Sequence, residues 1–408
     1  MLSVDEAFAA ILAAVETSAP VSTALADALG LTLADDIISG IDSPPFDKSL
    51  MDGFAVRADD VTGGKTVLRV IDEVMAGNLP TKVVRQGEAT RIMTGAPIPE
   101  GADAVVRVEE TCFDAEAGTV EISSPSTAVE SNLMRRGTSM RRGDRVLPAG
   151  RTLRPQELGA LAELGVHTVN VRPRPTVAVL ATGDELVAVD QTPGPGQIRN
   201  SNETMLVAQI RRAGGEPVPL GIARDNRKDL GERIAAGLQC DMLLLSGGVS
   251  AGKLDLVPSE LEAAGVRQIF HKVRVKPGKP VWYGKLGVPN GACRHVFGLP
   301  GNPVSSLVCF ELFARTAIRK LMGVEPSLPK TVPARMAAAH IARGDRPTYH
   351  PARLELSGEG AIVRPVAWQG SADLRSTVEA NAMIQFPAGD QEYAAGDTVE
   401  VFCWDDLS

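Results

Sequence analysis

The stretch from Leu243 to Cys309 constrains the fold of this chain more than any other. It contains LLLSGGVSAGKLD, then HKVRVKPGKP, then FGLPGNPVSSLVCF. Each apolar run delivers a turn rich in glycine or proline. Backbone amides at such turns and at helix starts can donate to an anion, and lysine adds positive charge, so the pattern suits a phosphorylated ligand. The surrounding sequence extends the pattern. Strands are predicted at Val177–Leu180, Pro217–Ile222, Met242–Leu245, Gln268–Val273, Val281–Tyr283 and His295–Phe297. They alternate with predicted helices at Glu203–Ala213, capped by Asn202, Lys228–Leu238, Ser259–Ala264 and Val304–Leu321. Strands separated by helices imply right-handed crossovers and a mainly parallel sheet. Ligands of such sheets sit at the carboxyl ends of the strands. Gly183-Asp184-Glu185, Asp225, Gly247-Gly248 and Gly298–Pro303 all follow predicted strands, so they converge on one edge.

The flanks read differently. Residues Ser3 to Thr17 carry Val4, Phe8, Ile11, Leu12 and Val15 at helical spacing, with Ser3 placed to cap and Glu6 three residues on. Val21 to Ile38 reads as a short helix followed by a strand. Asp52-Gly53 marks a turn ahead of the strand Phe54–Val56. Thr66 to Val129 alternates short apolar runs with turns and predicts a β-rich module, in which GAPIPEG is a rigid loop between strands. Thr94 and Gly95, at its start, suit a plain strand-to-loop corner and a ligand contact equally well. After Pro326 the helical period gives way to short strands (Ala334–Ala339, Arg353–Leu356, Ala361–Val366, Ala382–Phe386, Thr398–Phe402), a small β-domain.

At 408 residues the chain exceeds one ordinary core, and two to four domains are expected. A net charge of −8 argues against a general nucleic-acid binder, so an anionic substrate must be met by local groups. The basic run Asn132–Asp144, with Arg135, Arg136, Arg141 and Arg142, suits a solvated face, a phosphate contact or a neighbouring subunit's carboxylates. Five cysteines without a CxxC pair read as free thiols in a reducing compartment, and five histidines show no metal-ligand spacing. Asp5, Glu6 and Glu16 interrupt the apolar pattern of the N-terminus, which is therefore no signal peptide, and no run is long enough to span a bilayer.

The motifs narrow the chemistry. GGVSAGK approaches a P-loop, but Leu254 replaces the hydroxyl residue that holds Mg²⁺, and Pro258 falls within the first turns of the expected helix. The amides of Gly247–Ser250 can bind an anion without that machinery. Gly194-Pro195-Gly196 is no dinucleotide fingerprint. Lys276 and Lys279 flank Pro277-Gly278, where they either reach one anion together or sit exposed on a tight turn. Glu185, Asp225 and Asp255 each follow a predicted strand and suggest Mg²⁺ held by carboxylates and substrate oxygens, with Asp225 the best placed of the three to be a helix cap instead. In GLPGNP, Asn302 is placed to cap, Pro303 to open the helix and Gly301 to permit close approach.

SPPFDKSLMDGFAVR, RIMTGAPIPEGADAVV, LATGDEL, LSGGVSAGKLD, VKPGKP and GLPGNPVSS occur in the order seen in molybdopterin molybdenumtransferases, and over nearly its whole length the chain resembles that family, which includes the E domain of gephyrin. The resemblance implies an α/β multidomain chain. Residues 1–21 and 172–322 would form a central, mainly parallel α/β molybdopterin-binding domain, and 22–45 with 140–171 a connecting domain. Residues 46–139 would form the β-rich module and 323–408 a small, barrel-like C-terminal β-domain. It further implies a cytoplasmic homodimer whose active site lies between the α/β domain of one subunit and the β-module of the other. The implied reaction is Mg²⁺-dependent insertion of molybdate into adenylylated molybdopterin, with release of AMP. By the same resemblance Asp52 and Thr94 face the partner's cleft. Glu185, Asp225 and Asp255 are its acidic positions, the last two catalytic and all three metal-binding. Lys276 and Lys279 draw in molybdate. Gly247, Gly248 and Ser250 form the nucleotide and phosphate loop, Pro300 and Pro303 shape the site, and Ser371 lies near the anion.

The chain departs from the family pattern at Lys253, where an acid is common, at Thr138-Ser139, where an aspartate is usual, and at Ala372-Asp373. An upstream adenylyltransferase and recipient molybdoenzymes are the implied partners, with neither nucleic acid nor membrane. A non-catalytic molybdopterin-binding scaffold and a molybdopterin adenylyltransferase are the alternatives. The retained lysines and acids favour an enzyme, and the flanking domains favour insertion.

Overall fold

A computed structural model describes residues 1–249, 256–288, 293–358 and 360–404, so Ser250, Lys253 and Asp255 lie outside the described residues. The chain divides into two compact units. One comprises residues 1–35, 149–159 and 167–408, the other residues 36–148 and 160–166.

The first unit is built on a six-stranded sheet. Its strands are β1 (Thr176–Thr182), β2 (Glu216–Ala223), β3 (Met242–Ser246), β4 (Arg267–His271), β5 (Trp282–Gly287) and β6 (Cys293–Leu299), in the spatial order β2-β1-β3-β6-β5-β4. The first four run parallel, and β5 and β4 extend the sheet antiparallel. The parallel expectation therefore holds for four strands. Between β4 and β5 the chain has no helix to carry a crossover, so that pair returns antiparallel. Val177–Ala181 and Met242–Leu245 are buried, which is why these runs are continuously apolar rather than alternating.

Seven α-helices are found among the described residues: α1 (Val4–Ala14), α2 (Pro155–Glu163), α3 (Ser201–Arg212), α4 (Arg227–Gly237), α5 (Val257–Ala263), α6 (Pro303–Cys309) and α7 (Arg315–Leu321). The core on one face of the sheet joins α1, α3, α6 and α7, and the core on the other joins α4 and α5. The capping box at Ser3 forms as expected. Glu6 N–H donates to Ser3 Oγ at 3.1 Å and Ser3 N–H to Glu6 Oε2 at 2.7 Å. Phe8 of α1 then packs on Phe313, ring centroids 5.8 Å apart.

Three expectations need correction here. Val21 to Ile38 begins with a strand (Val21–Ala24), not a helix, because Val21, Ser22 and Thr23 pair antiparallel with Val171, Asn170 and Val169. The helix after β1 is capped by Asn200, whose side chain accepts from Glu203 N–H, and Asn202 lies inside it. The long helix expected at Val304–Leu321 carries a π-helical turn at Phe310–Ala314. In that turn Glu311 is buried and accepts from Gln209 Nε2 at 2.6 Å and from Arg315 Nη1 at 3.1 Å.

The C-terminal part closes into a five-stranded barrel of Thr331–Met336, Gly360–Pro365, Thr348–Ser357, Ala382–Phe386 and Thr398–Cys403. The second unit holds a six-stranded sheet in which Gly53–Val56 lies between Ala104–Arg107 and Glu88–Ile92. Only glycine fits at position 53, since a Cβ there would lie 1.9 Å from the Val106 carbonyl oxygen. In the basic run, Arg135 Nη1 is 2.6 Å from Asp47 and Arg136 Nη2 is 2.7 Å from Asp42, so these two arginines are held within the unit.

Candidate functional site

The carboxyl ends of β1, β2, β3 and β6 open into a cavity of about 690 Å³. Glu185, Asp225, Gly247, Gly248, Pro300 and Pro303 all border it, so the convergence expected from the strand-helix alternation is found. Gly247 has φ +99°, and a Cβ there would lie 2.7 Å from the Thr182 carbonyl oxygen and 2.9 Å from its hydroxyl. The turn after β3 therefore runs tight against the end of β1, a path closed to residues with a side chain. The Gly247 N–H donates to Leu299 O at 3.0 Å, so it prolongs the β3–β6 ladder and is not free for an anion as expected. Ser250, expected in the same loop, lies outside the described residues.

Asp225 is not a cap. Asn226 caps α4, accepting from Asp229 N–H at 3.0 Å. The Asp225 backbone N–H donates to Asp184 Oδ1 at 3.2 Å, which seats it at the rim. Asn302 occupies the position before α6 but makes no capping bond. Its Nδ2 instead donates to Ser371 Oγ at 2.9 Å, while the Val304 N–H donates to the Ser371 carbonyl at 3.0 Å. Ser371 thus stands at the start of α6, beside Ala372, which borders the cavity.

Among the described residues no three His, Cys, Asp or Glu side chains converge as a metal cage. Glu185 and Asp225 supply two hard oxygen donors at the cavity, and Asp255 lies outside the described residues. Two carboxylates, completed by water and phosphate oxygens, are what Mg²⁺ uses, so this donor set fits it.

Lys276 borders a second cavity of about 380 Å³ with Arg343, His350 and Trp368, and its Nζ donates to Arg343 O at 3.4 Å. Lys279 is exposed and borders neither cavity. It adds to the charge that holds the Asp345 carboxyl below its ordinary range, an effect due first to the bond from Arg346. Burial pushes His350, also at the second cavity, down to about 4, with its Nε2 2.9 Å from Val366 O.

In the second unit, Asp52 and Thr94 come together. Asp52 Oδ1 accepts from Thr94 N–H at 2.7 Å and from Thr94 Oγ1 at 2.8 Å, which holds the Asp52 carboxyl below its usual range. Sequence reasoning missed the role of Asn202, a buried side chain bordering the first cavity. Its signal was the repetition in Asn200-Ser201-Asn202, where one helix start offers more capping residues than it can use.

Comparison with known proteins bears on the whole chain. Residues 2–165 match the family described as MoeA N-terminal region (domain I and II), residues 178–320 a probable molybdopterin binding domain, and residues 333–404 the MoeA C-terminal region (domain IV). The chain is 34% identical over 408 residues to the molybdopterin molybdenumtransferase of Staphylococcus aureus (strain N315), covering 98% of this chain and 95% of that protein. It is 33% identical over 405 residues to its counterpart in Staphylococcus epidermidis, with the same coverage. Among solved structures it is similar to a molybdopterin biosynthesis MoeA protein from Pyrococcus horikoshii, with a TM-score of 0.80 and 29% identity over 100% of both chains. A molybdenum cofactor biosynthesis protein from Pyrococcus furiosus, at 20% identity and a TM-score of 0.59, shares the fold.

Proposed function

Because this chain belongs to the molybdopterin molybdenumtransferase family and acts in molybdenum cofactor biosynthesis by inserting molybdenum, we propose that the 690 Å³ cavity receives adenylylated molybdopterin. The observation that carries this reading is the meeting of Glu185, Asp225, Gly248, Pro300 and Pro303 around one space. Molybdate enters the dithiolene, and a water or molybdate oxygen attacks phosphorus, so that the phosphate link breaks and AMP leaves. Gly247 shapes the phosphate loop and Gly248 and Ser250 line it. Pro300 and Pro303 shape the site, and Ser371 lies near the anion.

Glu185, Asp225 and Asp255 hold Mg²⁺. The ion, when bound, disperses the charge that develops as the phosphate link breaks. Lys276 and Lys279 draw in molybdate. The protein works as a cytoplasmic homodimer with a shared active site, to which Asp52 and Thr94 come from the second copy. The bond between them orients the Asp52 carboxylate before the partner's cleft is met. The four-part division at residues 22, 46, 140, 172 and 323 belongs to the same reading. An upstream adenylyltransferase supplies the substrate, and molybdoenzymes take the product.

The test is AMP release from adenylylated molybdopterin on adding molybdate, with and without Mg²⁺. Release that needs both is expected. Tight molybdopterin binding with no AMP release would leave a scaffold in place of an insertase.

A further inference from the structure

The β3–β6 ladder ends at the bond from Gly247 N–H to Leu299 O. Beyond this rung the two segments leave the sheet and both border the cavity, Gly247-Gly248 after β3 and Pro300 to Pro303 after β6. Asn202, in the first turn of α3, bridges them. Its Nδ2 donates to Ser246 Oγ at 2.8 Å and to the Gly301 carbonyl at 2.8 Å. The two segments lie against one another, since a Cβ on Gly301 would stand 3.7 Å from Gly247 Cα, ordinary van der Waals contact. The adjacent Asn302 carries the connection onward to Ser371 Oγ. One buried amide thus joins the ends of three elements that border the site.

We infer that Asn202 is a positioning residue for the insertion reaction, fixing the shape of the nucleotide-binding cleft by holding the loop after β6 against the end of β3. The amide is suited to this. It offers two donors to two acceptors, and it carries no charge that burial would penalise. An aspartate of the same shape has no donor while ionised. Buried beside a carbonyl, its carboxyl would titrate above the ordinary range, and in its protonated form it would regain one donor. The clamp therefore has a signature in pH that mere packing lacks.

This inference rests on the reading of the cavity as the nucleotide site, so the experiment separates the two. AMP binding to the full-length protein is measured by calorimetry at pH 8 and pH 5.5 for wild type, Asn202→Asp and Asn202→Ala. Wild-type binding tests the cavity reading, and the variant-to-wild-type ratio at each pH tests the clamp. Both variants are expected to bind AMP about tenfold more weakly at pH 8. At pH 5.5 Asn202→Asp recovers much of that loss, and Asn202→Ala does not. Equal losses at both pH values in both variants, or none, would overturn the role. If wild type fails to bind AMP, amide hydrogen exchange decides. Peptides covering residues 242–249 and 297–307 are expected to exchange faster together in Asn202→Ala, and protection unchanged in either peptide refutes the clamp. If the Asn202 variants do not fold, Ser246→Ala, which removes one acceptor, takes their place in the exchange measurement. It is expected to loosen both peptides, with unchanged protection again the refuting result.

Discussion

Gly278→Ala tests how the turn between the two lysines is held. Gly278 has φ +114°, and a Cβ there would lie 2.3 Å from the Sγ of Cys309, which is fully buried in α6. Two costs add. The backbone conformation costs a residue with a side chain about 1–3 kcal/mol. Forcing a methyl group against a buried thiol costs about 1–3 kcal/mol more. The single variant should therefore lose roughly 2–6 kcal/mol. Cys309→Ala alone removes a small buried group and should cost about 1 kcal/mol. In the double variant the clash is gone but the backbone cost remains, so the pair should be more stable than the sum of the singles by about 1–3 kcal/mol. Urea unfolding followed by tryptophan fluorescence measures all three, since Trp282 is buried in the central sheet. Additivity within about 0.5 kcal/mol would refute the contact as the source of the effect. The turn carries Lys276, so AMP release at limiting molybdate should fall in Gly278→Ala and rise again in the double variant.

Asp225→Asn should lower molybdate-dependent AMP release about tenfold or more at limiting Mg²⁺ with an unchanged melting temperature, and excess Mg²⁺ should restore part of the rate. Burial holds His295 neutral, with a folded pKa of about 4. The unfolded chain therefore takes up the proton first, and stability falls as pH drops from about 6.5 toward 4. His295→Gln should flatten that part of the melting-temperature profile. Glu157 has the complementary acid dependence: bonds first from Arg154 and then from Arg151 pull its folded pKa to about 2. Its stabilisation is complete above about 4.5 and is lost as pH falls from there to about 2. Glu157→Gln should be less stable than wild type at pH 7 and should converge with it at low pH.

Much of the fold was legible because it rests on local rules. The alternation of apolar runs and helical periods placed β1, β2, β3 and β6 in one parallel sheet, and the loops after them on one edge. Ser3 and Glu6 announced their capping box, since both partners lie within one turn. The illegible parts depend on partners distant in sequence. Val21–Ala24 is a strand because Val171, Asn170 and Val169 lie beside it, nearly 150 residues away. Asn302 looked like a cap, but Ser371 claims its amide. Asn202 competed with Asn200 for the same cap, and Ser246 and Gly301 decided between them. Lys276 borders a cavity with Arg343, His350 and Trp368, partners distant in sequence that its own turn does not announce.

The place of β6 in the sheet has a consequence for how the protein is made. Although β6 is the last of the six strands in the chain, it lies between β3 and β5. A growing chain that has reached only residue 288 holds β1, β2 and β3 on one side and the β4–β5 pair on the other, with nothing to join them. The open edge of β3 is then Met242–Ser246, five residues that are buried in the finished protein. An apolar strand edge of this kind templates pairing with other chains. Gly301, the far anchor of the cleft, has not yet been added, so no nucleotide can rescue such a chain by binding. Premature stops between residues 247 and 292 should therefore yield aggregates.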